Sequence, residues 1–128
     1  MKYRDAIQSA VDDFRTYDPH LWAGKWAEVK DPQTNKPQYP SQSEADYDLN
    51  RRLARRFASE GISDDELSTV VEATFEQSGL ASRSKWQDRP DYRENTLNAA
   101  CEGLTATAKA NPAIYSEQGG GTTVQIDW

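Results

Sequence analysis

The sequence contains one cysteine, Cys101, and one histidine, His20, in 128 residues. A disulfide framework is excluded because it needs pairs of cysteines, and structural zinc sites need four Cys or His ligands at short spacing. Ser-His-Asp and Cys-His catalysis both need a histidine near the nucleophile, whereas His20 stands next to Pro19 and far along the chain from Cys101. We therefore expect a protein that is not an enzyme and that carries neither a metal nor a cofactor.

Long apolar runs and phosphate-binding loops are also absent from the sequence. No stretch approaches the roughly 20 apolar residues of a membrane span, and residues 1–10 lack the layout of a secretory signal. No GxxxxGK[ST] pattern occurs, and Gly119-Gly120-Gly121 neither follows a predicted strand nor opens a predicted helix. The sequence thus predicts a cytoplasmic protein with no membrane partner.

Basic residues are outnumbered by acidic ones. The 15 Lys and Arg residues face 21 Asp and Glu residues, which gives a formal net charge of −6. Free-standing nucleic-acid binders usually have the opposite balance. Hydrophobic residues make up 36% of the chain, which indicates a thin core. Any contact with DNA must therefore be local.

Four segments have the apolar spacing of three and four that places side chains on one face of a helix. They are residues 3–17, 41–59, 63–77 and 92–108. Ser41 with Glu44, and Ser63 with Glu66, have the spacing of capping boxes at two helix starts. Gly61 and Gly79 are predicted to end the second and third helices.

These patterns predict an all-α fold, a small helical bundle of about four main helices. The predicted bundle covers residues 1–110, and residues 111–128 are predicted to be an irregular tail that is flexible or depends on a partner. The predicted core consists of Ile7, Val11, Phe14, Leu49, Leu53, Phe57, Leu67, Val70, Val71, Phe75, Leu97, Cys101 and Leu104. The residues predicted at its edges are Trp22, Trp26 and Trp86.

Positive charge is concentrated in two groups. One follows a flank of the second helix and consists of Arg51, Arg52, Arg55 and Arg56. The other surrounds Trp86, which lies in a predicted basic loop over residues 80–90, and consists of Arg83, Lys85, Arg89 and Arg93. Arginine rows can contact phosphates, and an exposed tryptophan can stack on an unpaired base. The alternative interpretation is that the row is a surface balanced by Asp48 and Glu60, with Trp86 in the core.

Negative charge is concentrated in the third helix. Residues 61–80 contain no Lys or Arg and five acids, which are Asp64, Asp65, Glu66, Glu72 and Glu76. Such a helix repels DNA and suits a basic protein partner. Asp46 and Asp48 form a DxD pair of the kind that binds metals, but side chains two apart on a helix point about 200° away from each other. We therefore expect no metal at this pair.

Four stretches occur in order between Leu21 and Ala100: LWAGKW, YPSQSEADYDLNRRLA, FEQSGLASRSKW and YRENTLNAA. Together they resemble the helix-bundle domain that follows the primase-polymerase module in phage and plasmid primase-helicases, also described as a helicase-binding domain. The most specific pieces are YPSQSEAD and QSGL followed by KW. The resemblance implies a bundle that joins a primase core to a helicase and helps to engage template and initiating nucleotide.

The resemblance also implies which positions matter. At the start of the second helix they are Tyr39, Ser41, Gln42, Ser43 and Asp46, and in the basic loop they are Arg83, Lys85 and Trp86. The chain departs from the family in its longer loop EVKDPQTNKPQ, and it has neither primase carboxylates nor a helicase ATPase. Its own amphipathic helix after Met1 favours a separately encoded protein.

Two functional hypotheses follow from the sequence. The first is a non-enzymatic replication module of a phage or plasmid that contacts single-stranded or template DNA and docks on a primase or helicase. Its candidate DNA contacts are Arg51, Arg55, Arg83, Lys85, Trp86 and Arg89. The second is a small acidic effector that inhibits a host nucleic-acid-processing defence complex by protein contact. Its candidate contacts are Asp64, Asp65, Glu72 and Glu76.

Overall fold

The computed structural model describes residues 3–104, and this part of the chain is helical. Its helices are α1 (Arg4–Tyr17), α2 (Pro19–Trp22), α3 (Gln42–Ser59), α4 (Asp64–Phe75), α5 (Ser84–Asp88) and α6 (Pro90–Cys101). Two 3₁₀ turns, Trp26–Glu28 and Gly79–Ser82, lie between them. The predicted all-α bundle with four long helices is confirmed. The predicted end of the fourth helix at residue 108 and the predicted tail over 111–128 lie outside the described residues.

The long helix α3 forms the centre of the bundle. It packs against α4 on one side and α6 on another, and α1 packs against α4. None of the helices within residues 3–104 has the length and apolar character needed to cross a membrane. The exposed loop before α3 contains one isolated bridge, between Lys30 and Pro37. The predicted loop in this region is therefore confirmed.

The ends of the helices follow the predicted signals, but the two capping serines act differently from expectation. Ser41 and Ser63 have extended backbone conformations directly before α3 and α4, yet neither side chain bonds to a backbone N–H of its helix. The Ser63 hydroxyl instead lies 3.4 Å from a carboxylate oxygen of Glu66. The positions of the helix starts were therefore correct, whereas the capping hydrogen bonds predicted for them were wrong.

The core contains nearly all the residues predicted for it. Phe14 and Cys101 are only half-buried, and so is Trp26 at the edge. Several further side chains are buried that the spacing did not reveal, namely Leu21, Tyr39, Ile62, Leu80 and Tyr92. They lie in short helices, turns and loops or at helix starts, where no long periodic pattern exists to identify them.

The segment predicted as a basic loop over residues 80–90 is folded instead. It contains the turn Gly79–Ser82, helix α5 and the first residue of α6. Leu80 and Trp86 are fully buried within it. Burial of these two side chains holds the segment against the bundle, since transfer of large apolar groups out of water outweighs the weak intrinsic preference of a short helix.

Candidate functional site

The N-terminus of α3 lies beside α5 and α6. The ammonium nitrogen of Lys85 is 3.1 Å from the hydroxyl oxygen of Ser43 and 4.4 Å from the centre of the Tyr92 ring. The fold therefore brings together side chains from three separate helices. We call this group the α3 corner, and it consists of Ser41, Ser43, Asp46, Arg83, Lys85 and Tyr92.

A buried carboxylate forms the inner part of the α3 corner. Asp46 has no exposed surface, and its Oδ2 accepts hydrogen bonds from the Arg83 guanidinium and the Tyr92 hydroxyl, each at 2.5 Å. Burial raises the pKa of Asp46 above its usual range, although Tyr92, Arg83 and Lys85 act in the opposite direction. Burial and the Asp46 carboxylate raise the pKa of Tyr92 to about 12.

The two cations of the α3 corner have different environments. Arg83 is only 22% exposed, donates to Asp46 through Nη2 and donates to the Leu80 carbonyl through Nε at 3.1 Å. Lys85 takes part in none of the ion pairs among residues 3–104. Its ammonium has three donor protons, and Ser43 accepts one. Lys85 is thus the cation of this group that retains donors for an external anion.

The start of α3 adds further positive potential. The first N–H groups of any helix lack intrahelical partners, and α3 has no side-chain cap at Ser41 to satisfy them. The helix dipole places partial positive charge at this end. Glu44 in the first turn opposes an anion, whereas Asp46 lies inside and is paired with Arg83. The arrangement can therefore bind a phosphate through N–H groups, the Ser43 hydroxyl and Lys85.

Trp86 does not offer its ring to a nucleobase. The side chain is fully buried, its ring centre is 4.3 Å from that of Phe75, and its indole N–H donates to Glu76 at 2.6 Å. The prediction of an exposed stacking residue was wrong because the indole fills the core between α4 and α6. The alternative interpretation of Trp86 as a core residue is confirmed.

The arginine row on α3 forms contacts within the bundle. Arg52 pairs with Asp18, the residue after α1, at 2.9 Å, and Arg56 pairs with Asp13 of α1 at 2.5 Å, so the two pairs link α1 and its C-terminal end to α3. Asp48 and Glu60 also lie within 4 Å of them, as the balanced-surface interpretation predicts. This interpretation is therefore confirmed for Arg52 and Arg56.

The other arginines on the candidate list occupy different places. Arg51 donates to the carbonyls of Ala100 and Glu102, at 2.8 and 3.2 Å, at the end of α6. Arg55 lies on α3, like Arg51, and is partly exposed. Arg89 lies between α5 and α6, is more than half exposed and pairs with Asp91 at 2.7 Å. Only Arg83 and Lys85 of the six candidates take part in the α3 corner.

Asp48 faces a different side of α3 from Asp46. It accepts a 2.5 Å hydrogen bond from the hydroxyl of Tyr39, which is buried, and it lies 3.7 Å from Arg52. Burial and the neighbouring Asp48 raise the pKa of Tyr39. Across residues 3–104 there is no group of three or more His, Cys, Asp or Glu side chains arranged to hold a metal ion. Because Tyr39 is buried and bonded to Asp48, it packs the loop before α3 against that helix.

The four acids of the effector hypothesis, which lie in α4 or directly after it, also differ in their contacts. Glu76 accepts from Trp86, and Glu72 lies 3.6 Å from Arg93, so both contribute to internal contacts. Asp64 and Asp65 are exposed in the first turn of α4. Three of the four acids in the effector hypothesis, Asp64, Asp65 and Glu76, are therefore exposed, and of these Glu76 also accepts a hydrogen bond from Trp86.

Sequence reasoning identified Ser43, Asp46, Arg83 and Lys85 but missed Tyr92 as part of the α3 corner. Its only sequence signal was the position of a tyrosine at a helix start, which does not show that its hydroxyl reaches Asp46. Comparisons with known protein families, curated proteins and solved structures give no match. The geometry of the α3 corner is therefore the basis for assigning a function.

Proposed function

We propose that this protein is a non-enzymatic replication module of a phage or plasmid that contacts single-stranded or primed template DNA and docks on a primase or helicase. The observation that carries the proposal is the position of Lys85, which has no carboxylate partner among the described residues, beside the uncapped start of α3. The resemblance of the sequence to primase-associated helix bundles marks the same positions.

Charge explains why DNA contact is confined to one place. The chain carries a net charge of −6, so most of its surface repels a phosphate backbone. At the α3 corner the carboxylate of Asp46 is buried and paired with Arg83, which leaves Lys85 and the helix dipole to attract an anion. A phosphate bound there would accept hydrogen bonds from Lys85, Ser43 and backbone N–H groups.

The remaining candidates have supporting roles in this proposal. Arg89 is close to α5 in sequence and more than half exposed, which suits a neighbouring phosphate. Arg55 contributes from farther along α3. Arg51 primarily satisfies the last carbonyls of α6, and Trp86 fixes α5 in the core without touching DNA.

Fluorescence anisotropy of labelled single-stranded and forked oligonucleotides tests the proposal, with and without ATP and magnesium. Measurements at roughly 50 and 200 mM salt should differ in affinity by roughly three- to tenfold for a complex held by one or two phosphate contacts. Lys85→Ala should weaken binding to all sequences and reduce the salt slope by about one counterion. Lys36→Ala is the matched control, because Lys36 carries the same charge in the exposed loop before α3.

Equal affinities of wild type and Lys85→Ala would reject the role of Lys85. Absence of binding by the wild-type protein at either salt concentration would reject DNA contact and favour the acidic-effector alternative. In that case, Asp64→Asn with Asp65→Asn should abolish capture of a host partner, because both acids are exposed in the first turn of α4.

A further inference from the structure

The negative charge of Asp46 adds a free-energy cost to the core in which it is buried. An ionised carboxylate is costly to bury, and one of its oxygens, Oδ1, has no hydrogen-bond partner. The pairing with Arg83 and Tyr92 thus compensates only part of the charge. An amide at this position would keep an acceptor for both donors without burying a full charge, whereas an apolar side chain would leave the Arg83 guanidinium and the Tyr92 hydroxyl unpaired.

Asp46 connects all the groups that surround the Lys85 ammonium. It belongs to the same helix as Ser43, whose hydroxyl contacts Lys85. It also accepts a hydrogen bond from the hydroxyl of Tyr92, and the ring of Tyr92 lies against the Lys85 ammonium. It also holds Arg83, which precedes α5 directly. One carboxylate therefore fixes the elements on both sides of Lys85.

We propose that Asp46 is a positioning residue: it holds Tyr92 and Arg83, and thereby places the Lys85 ammonium at the start of α3 for a phosphate group. Asp46 itself does not touch the ligand, because its side chain is fully buried behind Lys85. The identity of the ligand rests on the proposed function. The positioning of Lys85 is a separate claim that stands on the contacts of the free protein.

Helix α5 has its own anchors, so it should stay folded when the charge of Asp46 is removed. Trp86 packs on Phe75 and donates to Glu76, and Arg93 donates to the Trp86 carbonyl at 2.6 Å. Asp46→Asn should therefore loosen the Lys85 side chain while it preserves the bundle. Asp18→Asn is the matched control, since Asp18 is also a partly buried carboxylate in an arginine pair but lies between α1 and α2, away from the α3 corner.

Two measurements on these variants separate positioning from simple charge repulsion. Removal of a negative charge near an anion site should tighten phosphate binding by Coulomb attraction alone. If Asp46 positions Lys85, Asp46→Asn should instead weaken oligonucleotide binding by roughly tenfold, the scale of one lost charged hydrogen bond. Asp46→Asn combined with Lys85→Ala should bind no more weakly than Lys85→Ala, because both changes remove the same contact.

The second measurement needs no DNA. The methylene protons next to the Lys85 nitrogen lie against the Tyr92 ring, whose ring current should shift their NMR resonances upfield. Asp46→Asn should move these resonances toward those of a free lysine, and Asp18→Asn should leave them unchanged. Unchanged Lys85 resonances, or tighter or equal binding by Asp46→Asn, would overturn the proposal. If the wild type binds no DNA, only the proposed function fails, and the resonances still decide whether Asp46 positions Lys85.

Discussion

Gly24 and Gly79 meet backbone to backbone, where the end of α2 lies against the turn Gly79–Ser82. A Cβ atom on Gly79 would be 2.1 Å from the carbonyl oxygen of Ala23, and one on Gly24 would be 2.9 Å from the carbonyl carbon of Gly79. Gly24 also has a positive φ of 86°. Both glycines belong to the stretches in which the sequence resembles primase-associated helix bundles. Part of that resemblance is therefore explained by close backbone packing, without any role in function.

We predict that Gly79→Ala lowers the free energy of unfolding by about 3 kcal/mol or more, because the added methyl group meets rigid backbone. Gly61→Ala is the control. Its φ of 92° strains a side chain, but no atom lies within 4 Å of the added Cβ, so about 1 to 2 kcal/mol is expected. Urea denaturation of both variants measures the difference. A smaller loss for Gly79→Ala than for Gly61→Ala would contradict the backbone contact.

A second prediction concerns Trp86. Trp86→Phe removes the hydrogen bond to Glu76 and part of the core volume, so the free energy of unfolding should fall by about 2 to 4 kcal/mol. Trp26→Phe should cost less because Trp26 is only half-buried. The salt slope of DNA binding should not change while Trp86→Phe remains folded. A variant with unaltered stability but weaker oligonucleotide binding would restore the stacking role that the structure rejects.

The buried carboxylate of Asp46 gives a prediction for pH dependence. Burial raises its pKa in the folded state above the ordinary value of 3.8. A raised pKa means that the folded protein holds the proton more tightly, so the stability from Asp46 is present below that ordinary value and is lost as pH rises through the raised pKa. Asp46→Asn stays neutral, so its stability relative to wild type should increase with pH.

Urea denaturation of both proteins between about pH 3 and pH 7 measures this difference. Titration of the other carboxylates cancels to first order, since the two chains differ at a single position. A relative stability of Asp46→Asn that decreases as the pH rises would show that the pairing with Arg83 outweighs the cost of burial.

Arg51 gives a prediction about the end of α6. Its guanidinium donates to the Ala100 and Glu102 carbonyls, which have no helical N–H partner at this end. Arg51→Ala should lower the free energy of unfolding by about 1 to 2 kcal/mol. It should reduce the salt slope of DNA binding less than Lys85→Ala does, since the guanidinium of Arg51 is already held at the end of α6 through Nη1. A larger effect of Arg51→Ala than of Lys85→Ala on the salt slope would show that the main DNA contact is at Arg51, farther along α3.

The four long helices were predictable because each depends on local spacing. Apolar residues at intervals of three and four, serines before the starts, and Gly61 after α3 all act within a few residues of chain. The short helix α5 could not be found in the same way. It exists because Trp86 and Leu80 are buried against distant residues, and its five residues are too few to show a period.

The candidate site was predicted in its residues but not in its chemistry. The sequence placed Ser43, Asp46, Arg83 and Lys85 in two motifs, and the fold brought both motifs to the start of α3. It also pairs Asp46 with Arg83 inside the bundle, and it buries Trp86 in the core instead of facing it toward a base. Neither outcome follows from spacing, since both depend on contacts between different helices.

The sequence by itself determined the helical class, the approximate bounds of the long helices, most of the core and the net negative charge, because these follow from composition and local periodicity. Only the tertiary structure decided which charged side chains are neutralised and which remain open. Pairing across the bundle commits Arg52, Arg56 and Arg83 to internal carboxylates, and it leaves Lys85 at the start of α3 without an ion-pair partner among the described residues. Electrostatic function depends on such distances, which a linear pattern does not contain.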